Sequence, residues 1–140
     1  MRRLAVCLAL AAIAFPAADA WAVARRTAKP KVSVQHASFL GTAVHVGPFG
    51  DVLVRINVTK TTIVNGKHVT VRRRISSIRV PVWTNHTARS VFLTQGALPK
   101  LIPEAIDAQS AKIQYVAGAT LTSNGFMESL QAAILKSQRW

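Results

Sequence analysis

Acidic residues are nearly missing from this chain: five Asp and Glu stand against 18 Lys and Arg, a formal charge of +13. So few carboxylates leave no pair on which general acid–base hydrolysis can be argued, and no Ser-His-Asp arrangement. Cysteine occurs once, at Cys7, which excludes an internal disulfide framework and a cysteine zinc site. Aromatics make up 6% of the residues, which argues against a stacking platform for single-stranded nucleic acid. The four histidines, His36, His45, His68 and His86, lack metal-ligand spacing. What remains is 50% hydrophobic, enough for one core, in 140 residues, the length of one domain.

The first apolar run is set apart from the rest. Met1-Arg2-Arg3 is a short basic start, Leu4 to Phe15 is continuously apolar, and Ala18-Asp19-Ala20 follows Pro16. A basic start, an apolar run and a small-residue exit predict a cleaved signal peptide over residues 1–20, with cleavage after Ala20 or Ala22 fitting equally. The run is too short to span a bilayer as a retained helix. Its removal takes Cys7, two arginines and one aspartate, lowering the charge of +13 by one. The expected product is exported and basic, with an extracytoplasmic location in the envelope or beyond it. Its charge favours anionic cell-surface polymers or lipid headgroups as neighbours, with no specific nucleic acid. Residues 21–37, with Arg25, Arg26, Lys29 and Lys31 and no periodicity, read as a flexible basic linker.

Residues 38–140 read as one α+β domain, a small antiparallel sheet packed against two helices. Ser38 to Val46 predicts a first strand, and Gly47-Pro48-Phe49-Gly50-Asp51 a turn. Val52, Val54, Ile56 and Val58 alternate with polar or outward residues, a period of two that places one face on a core. Asn65-Gly66 signals a hairpin, after which Val69, Val71 and Ile75 resume the alternation. The phase then slips to Ile78, Val80 and Val82, which predicts a bulge near Ser76-Ser77. Helical spacing follows from Val91 to Ala105, where Pro99 and Pro103 must each sit near a helix start or make a kink. Lys112–Val116 predicts a short strand. Thr122 or Ser123 is placed to cap a last helix with Phe126, Leu130, Ala133 and Ile134 on its apolar face. Arg72-Arg73-Arg74 reads as the polar edge of a strand, or as a dock for a polyanion or a phosphate.

One segment carries candidate chemistry. In Val116-Ala117-Gly118-Ala119-Thr120-Leu121-Thr122-Ser123 a small-residue loop runs into a helix start. Gly118 and Ala119 let backbone N–H groups approach a ligand, and the helix end offers partial positive charge suited to a phosphate. Thr120, Thr122 and Ser123 add hydroxyls.

These residues also carry a resemblance. Gly41-Thr42-Ala43-Val44, Gly50-Asp51-Val52-Leu53-Val54, Ala97-Leu98-Pro99-Lys100-Leu101, Glu104-Ala105-Ile106, Ala108-Gln109-Ser110-Ala111 and Gly118-Ala119-Thr120-Leu121-Thr122-Ser123-Asn124-Gly125 occur in the order seen in the FMN-binding domain family. Residues 38–137 resemble that family, which includes flavin-carrying subunits of bacterial membrane oxidoreductases. The resemblance implies FMN as cofactor, joined through its phosphate by a dedicated flavin transferase to the threonine that ends a Ser/Thr-Gly-Ala-Thr motif. Here that residue is Thr120, with Ala117, Gly118, Ala119, Leu121, Thr122 and Ser123 as its neighbours at the cofactor. Reversible FMN binding is the weaker form of the same implication. Tyr115 or Phe126 is placed to contact the ring. Two residues depart from the pattern: Ala117 stands for Ser or Thr, and Gln114 for an Asp used in transferase recognition. The implied role is electron transport, as a redox carrier rather than an enzyme with its own substrate, with a membrane-bound electron-transfer protein as donor or acceptor. The other reading is a basic secreted binding domain with a decayed flavin site.

Overall fold

The computed structural model describes residues 29–140. The signal peptide expected over residues 1–20, and the linker as far as residue 28, lie outside the described residues. Four strands and two helices follow in order: β1 (Lys31–Leu40), β2 (Val44–His45), β3 (Asp51–Asn65), β4 (His68–Val82), α1 (Ala88–Ala108) and α2 (Thr120–Gln138). All pairing is antiparallel, with β3 central: β4 lies on one side, and β1 then β2 on the other. This is the α+β architecture expected of the sequence.

The alternation in β3 decides which face is buried. Val52, Val54 and Ile56 are 0% exposed and Val58 2%, while Arg55 is exposed. Against them lies α2, whose Phe126, Leu130 and Ala133 fall on one helical stripe and are fully buried. Helix and sheet approach closely at Gly125, where an added Cβ would stand 2.7 Å from Val46 Cγ2 and 3.3 Å from Val52 Cβ. Ser129 is the polar exception on that stripe. Where β1 leaves the ladder after Leu40, Gly41 N–H still reaches Val54 O (2.8 Å), but Val54 N–H has lost its strand partner. Ser129 Oγ accepts it at 2.9 Å, inside the core. Ser129→Ala strands that buried donor and is expected to cost about 1–3 kcal/mol, read as a lower urea midpoint at unchanged slope.

The hairpin and the bulge are where the sequence puts them. Asn65 pairs with His68 around Gly66, whose φ is +61°. The register shift between Asn57↔Ser77 and Val58↔Ile75 leaves Ser76 as the extra residue. A second shift, between Leu53↔Val82 and Arg55↔Arg79, falls at Pro81, which has no N–H to give the ladder.

Three expectations are corrected. The first strand starts at Lys31, so residues 31–37, assigned to a linker, pair with β3 from Lys31↔Val64 to Ala37↔Val58. Lys112–Val116 is not a strand; the N–H groups of Lys112, Gln114 and Val116 find side chains instead. And α1 continues through Pro99 and Pro103, so neither proline sits near a helix start. Both prolines lie on its exposed side, four residues apart, so the carbonyls they leave without donors face water. Its buried stripe, Ser90, Thr94, Ala97, Leu101 and Ala105, is untouched by them.

Candidate functional site

The loop from α1 to α2 is held in place by side chains rather than by a sheet. Gln109 ends α1 in the left-handed region, φ +51°. Its amide grips β4: Oε1 accepts Ile75 N–H (2.7 Å) and Nε2 donates to Ile75 O (3.0 Å). Farther along, Gln114 N–H donates to Glu104 Oε1 (2.9 Å), and Val116 N–H donates to Ser123 Oγ (3.2 Å). Ala119 N–H closes a turn onto Val116 O (3.0 Å). Gly118 occupies the turn position that needs positive φ, at +81°, and nothing stands within 4 Å of where its Cβ would be. The chain is therefore bare at that point.

Helix α2 begins at Thr120 with no side-chain cap and no acidic residue in its first turn. Its first N–H groups stay available at the helix end, where the partial charge is positive. The Thr120 side chain is exposed there. The caps expected at Thr122 and Ser123 are not caps. Both residues are buried on the inner side of the first turn. Ser123 Oγ donates to Ala119 O (2.9 Å) while it accepts from Val116, so it fixes the loop. Thr122 Oγ1 lies 3.4 Å from Thr84 Oγ1, which also bonds Thr94, in a buried cluster of hydroxyls beneath the loop. Ser123 is fully buried and so offers no hydroxyl to a ligand outside, whereas Thr122, nearly buried, borders the hollow beside Thr120.

A hollow of about 250 Å³ opens at Thr120, between the loop and α1. Gly118, Ala119, Leu121 and Thr122 line it from α2's side; Arg89, Ser90 and Leu93 of α1, with Phe49, line it from the other. Two helix amino ends thus meet at one opening. Thr87 caps α1 (Thr87 Oγ1 accepts Ser90 N–H at 3.0 Å), and its first turn also lacks acids, leaving the exposed Arg89 guanidinium unopposed within the helix end. No acidic side chain lines the hollow. A neighbouring depression of about 400 Å³ shares Leu93 and Ala119 and adds Ala117, Val116, Lys100 and Phe92, the last 76% exposed.

With this geometry in view, the comparison with known families is decisive. The family model for the FMN-binding domain matches residues 47–135, more than half of the chain. The chain belongs to the FMN-binding domain family. The match starts later than residues 38–137, over which the resemblance was read, yet it contains every residue lining the hollow. No curated protein matches the chain.

The residues present fit the group that an FMN-binding domain takes. A phosphate needs N–H donors, positive charge and backbone without Cβ atoms in the way, and the helix ends, Arg89 and Gly118 provide these. A flat ring needs exposed apolar surface, which Phe49, Leu93 and the 54% exposed Leu121 offer. Of the two proposed ring contacts, Phe126 is 0% exposed, a core residue of α2. Tyr115 is exposed but lines neither depression. Sequence reasoning missed Arg89 and Phe49, which join the site only through the fold. The Thr87-Ala88-Arg89-Ser90 helix start was the available signal for Arg89.

Proposed function

We propose that this FMN-binding domain is an exported electron carrier whose FMN is joined through its phosphate to Thr120 Oγ. One observation carries this reading: the exposed Thr120 hydroxyl stands at an uncapped helix amino end, over a hollow made positive by a second helix end and Arg89. In attachment, Thr120 Oγ forms the new bond to phosphorus as the donor's leaving group departs and the hydroxyl gives up its proton. A flavin transferase supplies the metal and the positioning for that displacement. Gly118 gives the approaching phosphate room, the α2 N–H groups and Arg89 hold its oxygens, and Phe49, Leu93 and Leu121 orient the ring. Bound FMN supplies the redox chemistry. The scarcity of carboxylates and the open hollow suit a carrier rather than an enzyme with a substrate of its own. Its electrons pass to or from a membrane-linked protein.

The departure at Gln114 has a counterpart in the structure. Glu104 reaches the Gln114 backbone from α1, so a carboxylate stands beside the position where the family carries Asp. We read Glu104 as the acidic feature that the transferase meets.

Protein exported from a host that carries a flavin transferase should be coloured, bleach with dithionite and recover in air. A colourless product, or a flavin that dithionite leaves unchanged, contradicts the carrier reading. Reversing the charge in the hollow tests its electrostatics separately. With Thr120→Ala in place, Arg89→Glu is expected to weaken FMN binding at least about tenfold in equilibrium dialysis, since a charge-assisted bond becomes a repulsion. Unchanged affinity removes Arg89 from the phosphate site.

A further inference from the structure

The end of the sheet remote from Thr120 is built unlike the rest of the domain. Helix α2 starts over the beginning of β3 and reaches only as far as Lys60, whose Nζ donates to Trp140 O at 2.7 Å. Beyond that rung α2 no longer covers the strands, and only the end of α1, at Ile106 and Gln109, borders a depression with Thr61, Ile63 and Arg72. Residues 31–36 of β1 and 68–74 of β4 are exposed one after another, and between them residues 59–63 of β3 are only half-buried, so this three-stranded extension has no fully buried face. A sheet normally buries at least one face, and its exposed residues are then polar. Here Val32, Val34, Val64, Val69 and Val71 are 36–62% exposed.

Register sorts these residues by depth. Val64↔Val69, whose rung also holds Lys31, and then the rungs of Val32 and Val71 lie nearest the hairpin turn, while Val34 shares the rung of Thr61 and Arg72. Arg72, Arg73 and Arg74 follow on the rungs of Thr61, Lys60 and Thr59. At ~3.3 Å per residue the middle arginine sits roughly 13 Å behind the first valine pair. Consecutive arginines alternate between faces, so the cations surround the ribbon instead of marking one side of it. No acidic residue occurs between Val52 and Val82. Lys31 and Lys67 lie nearest the turn, with stems long enough to carry their ammonium groups back toward the arginines. The chain also enters β1 at this end, directly after Arg25, Arg26 and Lys29 in sequence.

We infer that this hairpin end seats on an anionic lipid bilayer, with its valines below the headgroups and its arginine collar among the phosphates. A soluble polyanion would use the collar but leave the valines in water. A second copy of the chain would bring one collar against another. Only a lipid surface answers both features at their observed spacing, apolar inside and anionic at the rim. Seating at this end leaves the Thr120 hollow at the opposite end of β3, free for partners, and the inference does not depend on flavin attachment.

The test uses the full chain with Cys7→Ser and an environment-sensitive dye on Val69→Cys, and in a second sample on Glu128→Cys of α2. A dye local to the hairpin separates this seat from any contribution of the apolar N-terminal run. On phosphatidylglycerol-rich vesicles the dye at 69 should shift to the blue and the dye at 128 should not; pure phosphatidylcholine should shift neither. Arg72→Gln, Arg73→Gln and Arg74→Gln together should lower vesicle affinity about a hundredfold, with far-UV circular dichroism unchanged. The inference is overturned if the dye at 69 stays in water on anionic vesicles, or shifts equally on neutral ones. It is also overturned if polyphosphate binds as tightly as the vesicles without a shift, or if the shift grows with protein concentration in the absence of lipid.

Discussion

Phe126→Ala is expected to lower the stability of this domain by about 3–5 kcal/mol, the range for truncating a buried aromatic. Phe126 is fully buried where α2 lies over the alternating valines of β3, and no other phenylalanine of the described residues is fully buried. The cavity left behind would lie in the core cluster that Phe126 shares with Val52, Val54 and Ile56 of a paired strand, which is poorly placed to collapse. A loss of that size is a large share of the 5–15 kcal/mol by which domains of this kind are stable. It should appear as a large fall in urea midpoint, whereas Phe126→Leu should cost no more than ~1.5 kcal/mol. A loss below about 1 kcal/mol for the alanine variant would mean that α2 does not pack on β3 as described.

The second large effect is chemical and leaves stability alone. Thr120→Ala should abolish covalent flavin altogether, because the hydroxyl oxygen is the atom that bonds phosphorus. The side chain is exposed and is not the helix cap, so the unfolding midpoint should move by no more than about 0.5 kcal/mol. Thr120→Ser keeps the nucleophile and should keep attachment at a reduced rate. Thr122→Ala should leave attachment in place, since its hydroxyl is committed to the Thr84 cluster. The contrast between two threonines two residues apart separates a loss of chemistry from a loss of fold.

What the sequence discloses follows from which patterns are local. The β3 alternation, the hairpin after Asn65 and the bulge at Ser76 are encoded by residues next to one another, and each is found in place. The start of β1 has no such pattern. Only Val32 and Val34 alternate there, a run too short to set a period, and both are exposed; pairing with β3 makes it a strand. Lys112–Val116 has the composition of a strand, but Gln109 occupies the β4 edge at Ile75, and Glu104 and Ser123 take the N–H groups of Gln114 and Val116. The same ambiguity governs the site. Thr and Ser at a helix start serve equally well as caps and as inward anchors, and the burial of Thr122 and Ser123 decides for the second. Thr120 and Gly118 were legible because a loop and a helix start are contiguous features. Arg89 and Phe49 were not, because the fold brings them to Thr120 from distant parts of the chain.

The most direct measurement is the intact mass of the chain produced alongside a flavin transferase, taken under denaturing conditions. The predicted result is a protein heavier by one FMN less water, with the added mass absent from Thr120→Ala and retained in Thr122→Ala. Unmodified mass in the wild-type chain, or an adduct that persists in Thr120→Ala, would contradict attachment at the α2 amino end.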